Sequence, residues 1–189
     1  MSQVKFNIWH RFSALAVLLV SGVTYFLTLE PSVSFWDCGE YITSSYKLEV
    51  GHPPGNPVYN LLARIFTLFG DKMHAAVLVN SLSAVCSAFT IFFLYLTIVW
   101  FVKRLIKVDG ECSVAQVVST IGSGVVGALA FCFSDTFWFS AVEAEVYAMS
   151  SLFIAMVFWV MTMWYDHAEE PNADRWIVLT ALLIGLGIG

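Results

Sequence analysis

The chain has 189 residues, of which 59% are hydrophobic and only 12% are charged, and its formal net charge is -5. A soluble domain has about twice this charged fraction, so the composition excludes a soluble globular protein and predicts an all-α, polytopic membrane protein. The acidic balance also excludes a nucleic-acid partner, because phosphate binding requires a basic surface.

Five apolar runs predict the helices of one transmembrane domain, because a helix that crosses a bilayer needs about 20 apolar residues. They cover approximately residues 12–29, 76–100, 114–133, 146–165 and 176–189. The first run ends without a small-residue cleavage site, which indicates an uncleaved span rather than a signal peptide. The fifth run stops short of a full span, so we expect these residues to be the N-terminal part of a longer protein.

Basic residues predict the orientation, because Lys and Arg near the ends of spans stay on the cytoplasmic side. They precede or begin the first span and follow the second, at Lys5, Arg11, Lys103, Arg104 and Lys107. The N-terminus is therefore predicted to be cytoplasmic. Residues 30–74 and the short connection at 134–145 then share the outer face.

The predicted outer loop, residues 30–74, has a pattern of its own. "WDCGEYITSSYKLEV" indicates a short helix in which Asp37 caps the start and Glu40 completes a capping box. "GHPPGNP" ends that helix, and "VYNLLARIFTLFG" starts another of about three to four turns, too short to cross. This second helix contains Arg64, and we expect it to lie among the membrane lipids at the interface.

Small residues and cysteines carry two further expectations. Glycines at 122, 124 and 127 predict a close helix–helix contact in the third span. The four cysteines, at positions 38, 86, 112 and 132, lack the paired spacing of metal sites. We therefore expect neither a disulfide framework nor a zinc site.

Two acidic pairs are candidates for chemistry. Asp37 and Glu40 are three residues apart and share one face of a helix, where they can hold a proton, a cation or an acceptor hydroxyl. The alternative is that they only cap the helix. Glu143 and Glu145 stand where the fourth span begins, and acids at that depth usually face a cavity or a partner, although interaction with the helix dipole is an alternative. Because they are two residues apart, we expect their side chains to diverge, so that only one serves a site.

His52 and Arg64 are the candidate cations of the same loop. His52 precedes Pro53-Pro54-Gly55, a stiff segment that suits a side chain held in a fixed position, although a structural hydrogen bond is the simpler role. Arg64 can pair with a carboxylate or a lipid phosphate, or extend its charged end to the interface.

The combination of "FWDCGEYI", "KLEVGHPPGNPVY" and "AEVYAMSSLF" resembles the N-terminal region of a family of multi-spanning proteins. This family was first catalogued as a domain of unknown function common in Bacteroidetes, and its animal members are protein O-mannosyltransferases. It is similar to the lipid-donor glycosyltransferases of the C superfamily. The resemblance implies an essential acid in the first outer loop and a second acidic site in the next. It also implies a bacterial inner membrane as the location.

This resemblance implies a membrane glycosyltransferase that moves a sugar, with mannose as the candidate, from a polyprenyl phosphate to a protein or glycan hydroxyl. Asp37 is the expected general base and Glu40 the group that orients the base or the acceptor. His52 or Arg64 would stabilise the leaving phosphate. Glu143 and Glu145 are expected to bind substrate, and a divalent metal bridging one of them to Asp37 is left open.

Two other classes remain as alternatives at this point. A transporter would use the acids as a proton or substrate relay, although transporters place ionisable groups near the middle of the membrane. A noncatalytic membrane scaffold would leave the acidic motif without a role.

Overall fold

The computed structural model describes residues 3–107 and 112–188, and that part of the chain contains eight helices and no strand. In chain order they are α1 (Gln3–Leu27), α2 (Cys38–Lys47), α3 (Pro57–Thr67), α4 (Ala75–Leu105), α5 (Val114–Cys132), α6 (Asp135–Val142), α7 (Val146–Asp166) and α8 (Asp174–Ile188).

Four of these helices, α1, α4, α5 and α7, are long and apolar enough to cross a membrane. The prediction of an all-α polytopic membrane protein is therefore confirmed. The first helix starts at Gln3 rather than near residue 12, since the polar turns before the apolar run are helical as well. Helix α8 starts at Asp174, two residues before the predicted fifth run, and the last residue of that run, 189, lies outside the described residues.

Helix α4 is the centre of the bundle, with α1, α5 and α7 packed around it and α8 packed on α7. The glycines of α5 allow its close approach to α4. A Cβ at Gly124 would lie 2.5 Å from Cγ2 of Val99, and one at Gly127 would lie 2.8 Å from Cδ1 of Ile98. Nothing lies within 4 Å of the same position at Gly122. The predicted close contact is thus confirmed at two of the three glycines.

One end of the bundle carries the connection between α1 and α4, residues 30–74, which we call the polar segment. The backbone N–H of Glu30 donates to the carbonyl of Val142, at 3.0 Å. Asn80, near the start of α4, donates through Nδ2 to the carbonyls of Glu30 and Ser32, at 2.7 and 3.1 Å. These bonds join the polar segment to the end of α6 and to the start of α4.

Helix α6 was not predicted as a helix, because its eight residues are too few to show a helical period. It packs inward through Phe137, whose ring lies 6.3 Å from that of Tyr25 on α1. The effect is to fold residues 134–145 back against the bundle instead of leaving them as a plain loop.

The opposite end of the bundle brings together the ends of α4 and α7. Arg104 forms an ion pair with Asp166, and Trp100 Nε1 donates to the same carboxylate at 2.9 Å. Consecutive long helices therefore alternate in direction, as the predicted orientation requires. The side of the membrane that each end faces stays a prediction.

Candidate active site

Asp37 lies at the start of α2 but does not cap it. Its side chain makes no capping hydrogen bond, and its backbone is already helical, with φ -82° and ψ -3°. A capping residue normally has extended backbone, which directs its side chain at the first helical N–H groups. The predicted capping box is therefore wrong. The residue before it, Trp36, has a φ of 60°, which is uncommon for a bulky residue. This left-handed backbone precedes the first turn of the helix.

Glu40 turns instead towards His52. Its carboxylate accepts a hydrogen bond from the backbone N–H of His52 at 2.5 Å, and it contacts ring Nδ1 at 3.0 Å. These bonds lower the pKa of Glu40, the backbone bond most, and the bond to the carboxylate raises the pKa of His52. A Cβ at Gly51 would lie 2.9 Å from Oε1 of Glu40, so the residue before His52 leaves room for this contact.

One ring nitrogen of His52 contacts Glu40, and the other is available to a further partner. Because Nδ1 faces Glu40, the carboxylate fixes the orientation of the ring and leaves Nε2 for another partner. The side chain is 49% exposed and lines a cavity. A ligand-binding atom of Asp37, one of Glu40 and one ring nitrogen of His52 all lie within 4.8 Å of one another. The structure thus brings together the three residues that the sequence proposed for catalysis.

Glu143 and Glu145 form a second cluster, which is buried. They are only 4% and 7% exposed, and one carboxylate oxygen of each lies within 4.8 Å of the other and of Cys38 Sγ. The expectation that the two side chains diverge is wrong. It assumed helical geometry, whereas both residues have extended backbone between α6 and α7. Between them the chain turns tightly at Ala144, where the backbone N–H of Glu145 donates to the carbonyl of Glu143 at 2.9 Å, and both carboxylates come to lie near Cys38.

Cys38 joins this cluster from the first turn of α2. Its thiol donates to Oε1 of Glu145 at 3.6 Å. Burial, together with the charges of Glu143 and Glu145, raises the pKa of the Cys38 thiol to about 12. Burial also raises the pKa of Glu145. Sequence reasoning missed this cysteine, because spacing rules compare cysteines with one another and not with acids a hundred residues away.

Tyr41 lies between the two clusters. Its ring centroid is 6.4 Å from that of His52 and 5.5 Å from that of Tyr59. Burial raises the pKa of Tyr41 to about 12, with further contributions from the charges of Glu145 and Asp37. Nothing in the sequence singled out Tyr41, since an aromatic residue in a short helix carries no sign of a polar role.

A cavity of about 210 Å³ opens between the polar segment, α7 and α8. One wall is polar and contains Glu40, Tyr41 and His52. The facing wall is mainly apolar and includes Val146, Met149 and Phe153 of α7 with the last described turn of α8. The cavity therefore offers polar groups on one side and hydrocarbon on the other, which suits a substrate with both characters.

Arg64 is placed apart from these groups. Its Nη1 donates to the carbonyl of Tyr46 at 2.6 Å and to Oγ1 of Thr67 at 3.2 Å. It does not line the cavity, and among the described residues no carboxylate lies within ion-pair distance of it. Its geometry is that of a link between α2 and α3, and the predicted contact with substrate stays a prediction.

The fold and the site together define a polytopic helical membrane protein with acidic and histidine side chains gathered at one end of its bundle. The chain belongs to the family described as the N-terminal domain of protein O-mannosyl-transferase TMEM260, which matches residues 37–189. The matched region begins at Asp37, the first residue of the candidate site.

Two relatives show the extent of the similarity. The chain is 27% identical over 156 residues to protein O-mannosyl-transferase tmem260 of Dictyostelium discoideum, a match that covers 82% of this chain and 17% of that protein. It is 26% identical over 175 residues to protein O-mannosyl-transferase TMEM260 of Mus musculus, covering 93% of this chain and 23% of the mouse protein. The chain thus spans less than a quarter of the length of these relatives. No solved structure matches it.

Proposed function

We propose that this chain supplies one part of the active site of a membrane glycosyltransferase, which moves mannose from a polyprenyl phosphate to a hydroxyl of a protein or glycan. The observation that carries the proposal is the placement of Asp37 beside His52, a histidine that is held by Glu40 and lines a half-polar cavity. The relatives are named protein O-mannosyl-transferases, which supports the choice of mannose and of a protein acceptor.

The spacing of the groups suits a displacement at a sugar carbon. In a near-attack geometry the attacking oxygen lies about 3–3.5 Å from the carbon, so with a bond of about 1.4 Å to the leaving oxygen the two oxygens are about 4.5–5 Å apart. Asp37 and a ring nitrogen of His52 lie within 4.8 Å of each other. Standing side by side, the two residues can each contact one of the two oxygens.

In this mechanism Asp37 is the general base and His52 the cation. The acceptor hydroxyl attacks the anomeric carbon and its proton passes to the Asp37 carboxylate, while the bond from that carbon to the phosphate oxygen breaks and its electrons stay on the lipid phosphate. The imidazolium of His52 donates from Nε2 to the phosphate and stabilises the charge that develops there. Glu40 is a positioning residue that holds Nδ1.

His52 is better placed for this work than Arg64. The histidine lines the cavity and its pKa is raised by Glu40, which favours the charged form. The guanidinium of Arg64 already binds the carbonyl of Tyr46 and does not line the cavity. The apolar wall from α7 would accommodate the first part of the polyprenyl chain, next to the sugar and phosphate.

The test is a comparison of donors with the intact protein in lipid nanodiscs. Radiolabelled mannose is supplied either on a polyprenyl phosphate or on a nucleotide, with a hydroxyl-bearing peptide or a glycan as acceptor. The proposal predicts transfer from the lipid donor and none from the nucleotide donor. Transfer from the nucleotide donor alone, or from neither donor, would overturn it.

A further inference from the structure

The second cluster, Cys38 with Glu143 and Glu145, holds buried negative charge without a counter-charge in the described chain. Neither glutamate lies within ion-pair distance of a described Lys, Arg or His. Their carboxylate oxygens are within 4.8 Å of each other in a site that is at most 7% exposed. Two carboxylates at this separation and depth repel, so such a site needs a proton or a cation.

Glu143 adds an independent observation. Only 4% of the surface of Glu143 is exposed. Its side chain has no hydrogen-bond or ion-pair partner among the described residues. One of its carboxylate oxygens nevertheless lies within 4.8 Å of Cys38 Sγ and of a carboxylate oxygen of Glu145. A buried carboxylate of this kind is costly unless a further group completes its surroundings.

We propose that Cys38, Glu143 and Glu145 bind one thiophilic divalent cation, of which Zn²⁺ is the best match. A tetrahedral Zn²⁺ with Zn–S of about 2.3 Å and Zn–O of about 2.0–2.2 Å holds sulfur and oxygen about 3.5–3.7 Å apart. Cys38 Sγ and Glu145 Oε1 are 3.6 Å apart, so this edge of the tetrahedron is already formed. A carboxylate oxygen of Glu143 lies within 4.8 Å of both of these atoms and supplies the third ligand.

The ligand types favour zinc over magnesium or calcium. A thiolate is a soft ligand that Mg²⁺ and Ca²⁺ rarely accept, whereas Zn²⁺ binds sulfur and carboxylate oxygen together. The thiol proton would leave to solvent when the metal binds. This proposal reverses the expectation from cysteine spacing, because the additional ligands come from acids on another element and not from a second cysteine.

The site would tie the start of α2 to the connection between α6 and α7. Asp37 precedes Cys38 directly, so a metal bound there would fix the base relative to the bundle. The inference does not depend on sugar transfer, and its test contains no sugar.

The experiment measures Co²⁺ binding as a probe for zinc, on the intact protein in lipid nanodiscs after chelator treatment. A thiolate ligand produces a charge-transfer band in the near ultraviolet. The proposal predicts saturation at one Co²⁺ per chain and displacement by Zn²⁺. Cys38→Ser removes the charge-transfer band, while Cys86→Ser, a matched change at another buried cysteine, leaves it unchanged.

Glu143→Gln keeps the shape of the side chain and provides the second variant, should the serine substitution disturb folding. Loss of a ligand weakens binding at least as much as loss of a group that supports a ligand, so we expect a Kd at least about 10–100-fold higher. The site is refuted if chelated wild type takes up no Co²⁺ saturably, or if Cys38→Ser and Glu143→Gln both bind as wild type does.

Discussion

Glu40→Gln tests how far the orientation of His52 matters. The amide keeps the size of the side chain and can still accept from the backbone N–H of His52. In the wild-type chain this N–H lies 2.5 Å from Oε1 of Glu40. It loses the negative charge opposite Nδ1, 3.0 Å away, so the ring is no longer held as an imidazolium. A supporting group of this kind typically contributes about 10–100-fold, and we expect transfer to fall by that factor.

The pH profile separates this role from a structural one. The raised pKa of His52 means that the imidazolium is present below it and lost as the pH rises through it. Without the carboxylate the pKa of His52 returns towards the ordinary value of about 6.5. The alkaline limb of the rate profile therefore moves to lower pH in Glu40→Gln.

The polar segment contains a matched control for this variant. Asp71 contacts Nδ1 of His74 at 2.8 Å, a second exposed acid–histidine pair that does not line the cavity. Asp71→Asn should leave both the rate and the profile unchanged. The reasoning fails if Glu40→Gln keeps the wild-type alkaline limb, or if Asp71→Asn shifts it equally.

Three further predictions concern single sites. Gly51→Ala places a Cβ 2.9 Å from Oε1 of Glu40, which moves the carboxylate, so we expect the rate of transfer to fall about tenfold. Gly122→Ala, where the Cβ enters open space, should keep the wild-type rate, and equal rates for the two variants would contradict this. Gly124→Val overfills the contact with α4 and costs about 1–3 kcal/mol in unfolding free energy, and an unchanged melting temperature would be contrary to it. Arg64→Met removes two hydrogen bonds and should lower the free energy of unfolding by about 1–3 kcal/mol while kcat/KM is preserved. A selective rise in KM for the lipid donor would instead support the substrate role predicted from sequence.

The long helices were predictable, because a run of about 20 apolar residues has few other stable structures. The central position of α4 was not, since apolar residues surround all four long helices and their pattern does not specify neighbours. Only the glycines of α5 indicated a close contact, and Gly122 shows that even this signal includes positions with nothing opposite.

The residues of the candidate site were easier to name than their geometry. Asp37, Glu40 and His52 stood out as polar groups in an apolar chain, but the capping box assigned Glu40 to the wrong partner. His52 returns to Glu40 only because the chain reverses after α2 at Leu48, whose φ is 55°. Cys38 gave no signal, since its partners become neighbours only when the chain between α6 and α7 packs beside α2.

The most direct test of the proposed function is the rate of mannosyl transfer from a polyprenyl-phosphate donor by Asp37→Asn in the intact protein. Asp135→Asn is the matched control, because Asp135 is also an exposed aspartate at the first turn of a helix at the same end of the bundle. A general base contributes about 10²–10⁴-fold, so Asp37→Asn should lose at least about 100-fold while it inserts and unfolds as wild type does. Transfer at the wild-type rate would show that Asp37 is not the base and contradict the mechanism.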